Sequence, residues 1–200
     1  MPDGSGGTLL ARSLVGRDAE FVALQSAWQD GGSARIVSSA AGVGKSRLVR
    51  ELASWALARG GLVLAGRCSP TGRDTPLRPW REALLSAARA GRRPGGGLEP
   101  FVPALARVVA EWGEAGDDSS SLVLGEAVLR LLTSWATPGA TALVVIEDVH
   151  WADPESLDVL EYVVDSLNQS LLNVFGYILR RHWRTRNRDG QLSCFEHHSS

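Results

Sequence analysis

Hydrophobic and polar positions along the chain follow two periods, which predict helices that alternate with short buried strands. Phe21, Leu24 and Trp28 recur at the spacing of one helix face, and Leu48 and Leu52 do so further along. Continuous apolar runs bounded by turn residues predict strands near 35–38, 62–65, 142–146 and 171–179. Strands that alternate with helices favour an α/β fold with a parallel sheet.

Between the second and third predicted strands the chain is expected to be mainly helical. One helix ends near Ala90, and two more are expected around 101–112 and 122–136. Further on, Asp153 followed by Pro154 has the form of a helix N-cap with proline in the first turn. The apolar positions after it keep one helix face as far as Leu167.

Composition and charge exclude several classes of protein. The 200 residues fit one domain with a sizeable core, and a net charge of −1 gives no general attraction to nucleic acid or membrane. No apolar run approaches the roughly 18 residues of a membrane helix, and the first residues do not form a secretory signal. Cys68 and Cys194 are too few and too far apart to indicate a disulfide framework or a metal site. A cytoplasmic location is therefore expected.

The stretch VSSAAGVGKSRLVREL, residues 37–52, joins a predicted strand to a predicted helix. Gly44, Lys45 and Ser46 form the end of a phosphate-binding loop, whose backbone N–H groups wrap a phosphate at a helix N-terminus. Ser39 replaces the first glycine of that motif, and a small residue there costs about 1–2 kcal/mol if its φ must be positive. Lys45 is the single lysine beside twenty arginines, and its compact ammonium suits a phosphate site better than a planar guanidinium. We therefore expect a nucleotide site.

A second candidate feature lies about a hundred residues later, in TALVVIEDVHWAD. Glu147 and Asp148 directly follow an apolar run typical of a strand buried on both faces. If that strand lies next to the first one, both carboxylates come near the Ser46 hydroxyl. One acid is then expected to hold Mg²⁺ through water, and the other to orient an attacking water.

Three blocks of the sequence carry a resemblance to a known family: LVGRDAEFVAL at 14–24, AGVGKSRLVREL at 41–52 and LVVIEDVHWADPESLDVLEYV at 143–163. Over about residues 14–167 the chain resembles the nucleotide-binding domain of AAA/STAND-type P-loop ATPases, also called origin-recognition-complex-like ATPases. It is especially similar to those at the N-terminus of large LuxR-type bacterial transcriptional regulators. The resemblance implies a three-layer P-loop NTPase fold with a parallel sheet, incomplete at its C-terminus.

The resemblance also implies roles for individual residues. Glu147 falls where the family has its Mg²⁺-associated aspartate, and Asp148 where it has the acid that polarises water, so both are candidate catalytic residues. Ser46 and Glu147 are the candidate Mg²⁺ ligands. His150 and Trp151 are expected to brace the turn after the strand. The candidate nucleotide-binding residues are Val15, Gly16, Arg17, Ala41, Gly42, Val43, Gly44, Lys45, Ser46 and Arg47.

The expected organisation is a flexible lead at 1–13, a truncated ATPase core at 14–179, and a disordered or non-native tail at 180–200. The expected function is that of an ATP-binding, slowly hydrolysing switch module from a bacterial transcriptional regulator, present as a fragment. ATP or ADP and Mg²⁺ are its ligands. Its partners are downstream effector domains absent from this chain, and neither direct DNA binding nor a membrane is expected. Two alternatives stay open: a catalytically inactive nucleotide-binding scaffold, and the ATPase part of a kinase- or cyclase-linked regulator.

Overall fold

The computed structural model describes residues 18–30, 33–39, 45–72, 75–116, 120–136, 141–167, 172–179 and 193–196. For residues 30, 33–39, 45, 72, 172–179 and 193–196 it describes the backbone alone. The helices are α1 (Asp18–Asp30), α2 (Lys45–Leu57), α3 (Arg78–Arg89), α4 (Val102–Ala106), α5 (Ser121–Trp135) and α6 (Pro154–Asp165). The strands are β1 (Ser33–Ser39), β2 (Leu62–Arg67), β3 (Ala142–Glu147), β4 (Leu172–Leu179) and β5 (Ser193–Glu196).

The five strands that the structure describes form one parallel sheet in the order β2-β3-β4-β1-β5. The central register aligns Ile146 of β3 with Gly176 of β4, and Gly176 with Ile36 of β1. At the other side of β3, Glu147 is aligned with Arg67, the last residue of β2. The parallel α/β fold predicted from the sequence is confirmed.

The condition under which both acids would come near the Ser46 hydroxyl is not met. That condition was that β3 lies next to β1, but β4 lies between them and pairs with both. An apolar run reveals that a strand is buried but carries no record of which strand it pairs with. With neighbouring strands spaced about 4.8 Å apart, the ends of β1 and β3 are separated by about 10 Å across the sheet.

Helices cover both faces of the sheet, because alternate residues of β3 point in opposite directions. Leu143 and Val145 are buried against α1 and α2. Ala142, Val144 and Ile146 are buried on the other face, in a larger core that includes residues of α3, α4, α5 and α6. The layers are therefore helix, sheet and helix, as expected from the sequence.

The helix boundaries differ from the sequence expectations most clearly between α3 and α5. The helix expected around 101–112 is only Val102–Ala106, with short 3₁₀ turns at Glu99–Phe101 and Ala110–Trp112. The backbone becomes extended at Val109, with φ −129° and ψ 93°, which ends the helical path. No helix among the residues that the structure describes is long and apolar enough to cross a membrane.

Strand β5 was not predicted from the sequence. It lies within the segment 180–200, for which a disordered or non-native tail was expected, and its backbone pairs in parallel with β1 from Arg35 to Ser38. Only residues 193–196 of that segment are described. The domain boundaries at 13 and 179, and the incomplete C-terminus, stay predictions.

Candidate functional site

The candidate site lies at the edge of the sheet where the parallel strands end. Ser39, Arg67, Glu147 and Leu179 are the last residues of β1, β2, β3 and β4. After β1 the chain continues to α2 on one face of the sheet, whereas after β3 it continues to α6 on the opposite face. Ligands of open α/β sheets bind outside the carboxyl ends of the strands, so this edge is the candidate site.

The predicted phosphate-binding residues are described only in part. Lys45 is the first residue of α2, and Ser46 and Arg47 follow it in the first turn with exposed side chains. The N-terminus of a helix of 13 residues carries unsatisfied N–H groups and a partial positive charge. The other predicted residues of this part lie outside the described residues, namely Val15, Gly16, Arg17, Ala41, Gly42, Val43 and Gly44.

The two acids occupy the end of β3. Glu147 is the last residue of the strand, and its carbonyl oxygen accepts a 2.9 Å hydrogen bond from the backbone N–H of Cys68. Asp148 follows in the left-handed conformation, with φ 54° and ψ 42°. A non-glycine residue there is uncommon, and such strain concentrates at functional sites. The carbonyl of Asp148 then accepts the N–H of Trp151, closing a 3₁₀ turn. Both carboxylates therefore project from a fixed backbone.

An arginine that the sequence analysis missed lies between these two carboxylates. Arg67 donates from Nε and Nη2 to Oδ2 of Asp148, at 3.3 Å each. Its Nε also lies 3.7 Å from Oε2 of Glu147. The only sequence signal for Arg67 is that it is a charged residue at the end of an apolar strand, as Glu147 is at the end of β3. That signal became informative only when β2 proved to be the neighbour of β3.

The backbone of Arg67 is held by helix α3. Its N–H donates a 3.0 Å hydrogen bond to Oε2 of Glu82. The other oxygen of Glu82 accepts from Nε of Arg78 at 3.0 Å, and Nη1 of Arg78 donates to the hydroxyl of Ser69 at 3.1 Å. Positive and negative groups thus alternate from α3 to the end of β3. This network connects the segment that follows β2 to the acid pair of Glu147 and Asp148.

Cys68, beside this network, is not a candidate nucleophile. Burial is the main reason that its pKa is raised to about 12, and the nearby negative charges of Asp153, Asp148 and Glu82 raise it further. A thiol needs to lose its proton to act as a nucleophile or as a metal ligand. Cys68 therefore stays protonated and contributes as a small apolar group of the core.

Asp153 has the structural role that was predicted for it. Its side chain is buried, and Oδ1 accepts a 2.9 Å hydrogen bond from the N–H of Ser156, which identifies it as the N-cap of α6. Its Oδ2 accepts the Ser156 hydroxyl at 2.6 Å, and the Ser156 carbonyl accepts the indole N–H of Trp80. The prediction of a helix cap is confirmed. His150 and Trp151 lie in the 3₁₀ turn before it with their rings 5.1 Å apart, and their bracing role stays a prediction.

The acid pair is chemically suited to a divalent cation of the Mg²⁺ type. Mg²⁺ prefers oxygen ligands and is usually bound by one or two carboxylates together with water and substrate phosphates. The guanidinium of Arg67 is a cation already held between the two carboxylates, so this position attracts positive charge. Within the described part of the chain, no three His, Cys, Asp or Glu side chains converge on a metal site. A cation here therefore needs further oxygen atoms, which water or a bound phosphate can supply.

Most of the chain is similar to known proteins. Residues 13–176, more than half of the chain, match the family model described as AAA ATPase domain. An uncharacterized protein of Rhizobium meliloti (strain 1021) is 30% identical in an alignment that covers 74% of this chain. The chain spans only 16% of the length of that relative.

Two solved structures of Drosophila ORC also resemble the fold. One is bound to AT-rich DNA and Cdc6, with a TM-score of 0.45, 9% identity, and coverage of 80% of this chain and 44% of that chain. The other is bound to DNA, with a TM-score of 0.44, 9% identity, and coverage of 80% and 74% respectively. Similarity at this level assigns no function.

Proposed function

Because the chain belongs to the AAA ATPase domain family, we propose that the carboxyl edge of its sheet binds ATP with Mg²⁺ and hydrolyses it slowly. The observation that carries this proposal is the arrangement of opposite charges along one sheet edge. The acid pair of Glu147 and Asp148 ends β3, and the single lysine of the chain begins the helix that follows β1.

On the β1 side, the N-terminus of α2 is proposed to bind the phosphates. Its first N–H groups and partial positive charge favour an anion, and Lys45 adds a full charge at the first helical position. We assign further phosphate contacts to the backbone N–H groups of residues 41–44 and to Arg47 in the first turn of α2. We assign adenine and ribose contacts to Val15, Gly16 and Arg17 because these positions match the resembled family.

On the β3 side, the proposed role of Glu147 is to hold Mg²⁺ together with the Ser46 hydroxyl, and that of Asp148 is to orient the attacking water. Mg²⁺, when bound, would neutralise charge that develops on the phosphates. The ends of β1 and β3 are separated by about 10 Å across the sheet, and we propose that the terminal phosphates lie between the N-terminus of α2 and the acids. The carboxylate of Asp148 accepts hydrogen bonds from Arg67 at the end of β2, the neighbouring strand of β3.

In the complete protein we propose that this domain is a switch whose nucleotide state controls output domains. Support comes from the resemblance to large LuxR-type transcriptional regulators and from the relative, of which the chain spans 16%. Binding without turnover is the second candidate. Two sequence features favour it: serine at position 39 instead of glycine, and glutamate at 147 instead of aspartate.

Calorimetric titration of the chain with ATP in the presence of Mg²⁺ tests the proposal. We expect a dissociation constant on the order of micromolar, lost in Lys45→Ala and retained in Arg59→Ala, which removes a cation from beyond the opposite end of α2. A folded wild-type chain that binds no ATP, or Lys45→Ala that binds equally well, would overturn it. Phosphate release by wild type but not by Asp148→Asn separates the switch from the inactive scaffold.

A further inference from the structure

The contact between Arg67 and the acid pair has a consequence that rests on the proposed function. Nε and Nη2 of Arg67 are directed at one oxygen of Asp148, and Nε also lies within 3.7 Å of Glu147. The guanidinium therefore compensates the same negative charges that are proposed to act with Mg²⁺. Two cations cannot use these carboxylate oxygens at full strength simultaneously, because they repel each other.

We propose that Arg67 is an internal competitor of divalent cations for the acid pair of Glu147 and Asp148. While its guanidinium lies between the two carboxylates, the pair attracts a free divalent cation weakly. When the guanidinium moves away, both carboxylates become available. Arg67 thereby sets the metal affinity of the site.

The burial of the three side chains supports such a movable competitor. The side chain of Arg67 is 63% exposed, whereas those of Glu147 and Asp148 are 24% and 21% exposed. An ion pair with one well-exposed partner is weak, since water and salt screen it. The guanidinium can therefore exchange the carboxylates for water at little cost, whereas the acids are enclosed by their surroundings.

The backbone around this contact is fixed, which limits the change to the arginine side chain. The N–H of Arg67 is bonded to Glu82 of α3, and the N–H of Cys68 is bonded to the carbonyl of Glu147. These bonds do not involve the guanidinium. Substitution of Arg67 consequently removes the competing charge and leaves the hydrogen bonds that hold the strand ends in place.

The test is the affinity of the nucleotide-free chain for Mn²⁺, a paramagnetic substitute for Mg²⁺, measured from the loss of the free-ion signal in electron paramagnetic resonance. Arg67→Gln removes the charge and keeps a shorter, uncharged polar side chain. We expect Mn²⁺ to bind about three- to tenfold more tightly in this variant, since one partly screened positive charge is lost beside the acids. Circular dichroism confirms that each variant is folded.

Matched variants locate the effect. Arg81→Gln removes an exposed arginine from α3 with the same change of net charge, and we expect its Mn²⁺ affinity to equal that of wild type. Asp148→Asn, introduced together with Arg67→Gln, should abolish the gain. Binding by Arg67→Gln where wild type shows none also supports the proposal.

Other outcomes overturn it. Arg67→Gln with unchanged or weaker Mn²⁺ affinity shows that Arg67 does not compete, and no binding by either protein shows that the acid pair alone is not a divalent-cation site for which Arg67 could compete. An equal gain in Arg81→Gln assigns the effect to net charge, and a gain that survives Asp148→Asn places the cation elsewhere. None of these results depends on ATP. Failure of the proposed function is instead detected by the Lys45→Ala titration.

Discussion

Gly66 is the position where the structure predicts the largest effect of adding a single methyl group. It is the buried residue before Arg67 in β2, and the backbone of α3 passes directly over it. A Cβ at Gly66 would lie 1.8 Å from the carbonyl oxygen of Pro79 and 2.6 Å from its carbonyl carbon. All three close atoms belong to the backbone of Pro79, so no side-chain rotation can relieve the overlap.

The cost of Gly66→Ala follows from this geometry. An ordinary van der Waals contact begins at about 3.4 Å, so α3 and β2 must separate by roughly 1.5 Å. That movement loosens the packing of Trp80, Ala83 and Leu84, which are buried in the larger core. Overpacking a core typically costs 1–3 kcal/mol, and rigid backbone on both sides places this case at about 3 kcal/mol. For a chain of this size the expected fall in Tm is about 6–12 °C.

Thermal unfolding followed by circular dichroism measures the prediction. Gly96→Ala is the matched control, because no heavy atom lies within 4 Å of a Cβ at that position and its φ is not positive. We expect the control to have the Tm of wild type within about 2 °C. A Gly66→Ala protein that also unfolds within 2 °C of wild type would refute the close approach of α3 to β2, and with it the placement of Arg67 by Glu82.

Two further predictions concern the helix α6. Asp153→Ala should lower the free energy of unfolding by about 2 kcal/mol, because the buried Asp153 accepts hydrogen bonds from both the N–H and the hydroxyl of Ser156. Asp153→Asn should lower it by less than half of that amount. Urea denaturation measures both. Tyr162→Phe should cost about 1–2 kcal/mol at pH 7, because the hydroxyl donates to Glu126 at 2.6 Å and is the main cause of the lowered pKa of that carboxylate. The lowered pKa of Glu126 stabilises the fold at pH values above the ordinary value of 4.5, and this stabilisation is lost as the pH falls through the pKa of the folded state. The difference in free energy of unfolding between Tyr162→Phe and wild type should therefore narrow in acid. A difference that stays constant with pH contradicts this.

The sequence was most informative where one residue pattern decides a local structure. The apolar run at 142–146 predicted a strand buried on both faces, and β3 is buried on both. Asp153 followed by Pro154 predicted the start of α6 to the residue. Residues close together in the chain decide both features. A strand buried on both faces is apolar at every position, and an N-cap satisfies the free N–H groups of the helical turn that follows it.

The sequence was least informative where distant segments meet. It did not reveal that β4 separates β1 from β3, because strand pairing is decided by how the helices pack on the whole sheet. For the same reason, nothing in the sequence distinguished Arg67 from the other arginines among the twenty in the chain. Its position beside Glu147 and Asp148 requires β2 and β3 to be neighbours with Arg67 and Glu147 in register. The left-handed backbone of Asp148 was also unexpected, since aspartate tolerates that conformation without requiring it.

The two cations at this sheet edge have different chemistry, and this supports different roles for them. The guanidinium of Arg67 directs two N–H groups at one carboxylate oxygen and still reaches the second acid, which a compact ammonium could not do with the same geometry. Lys45 begins α2, and its small, rotatable charge suits the proposed binding of a phosphate at that helix N-terminus. A Lys45→Arg variant should therefore lose most ATP affinity although its charge is kept. Arg67→Lys should retain only part of the competition with Mn²⁺, because a single ammonium cannot hold both acids equally well.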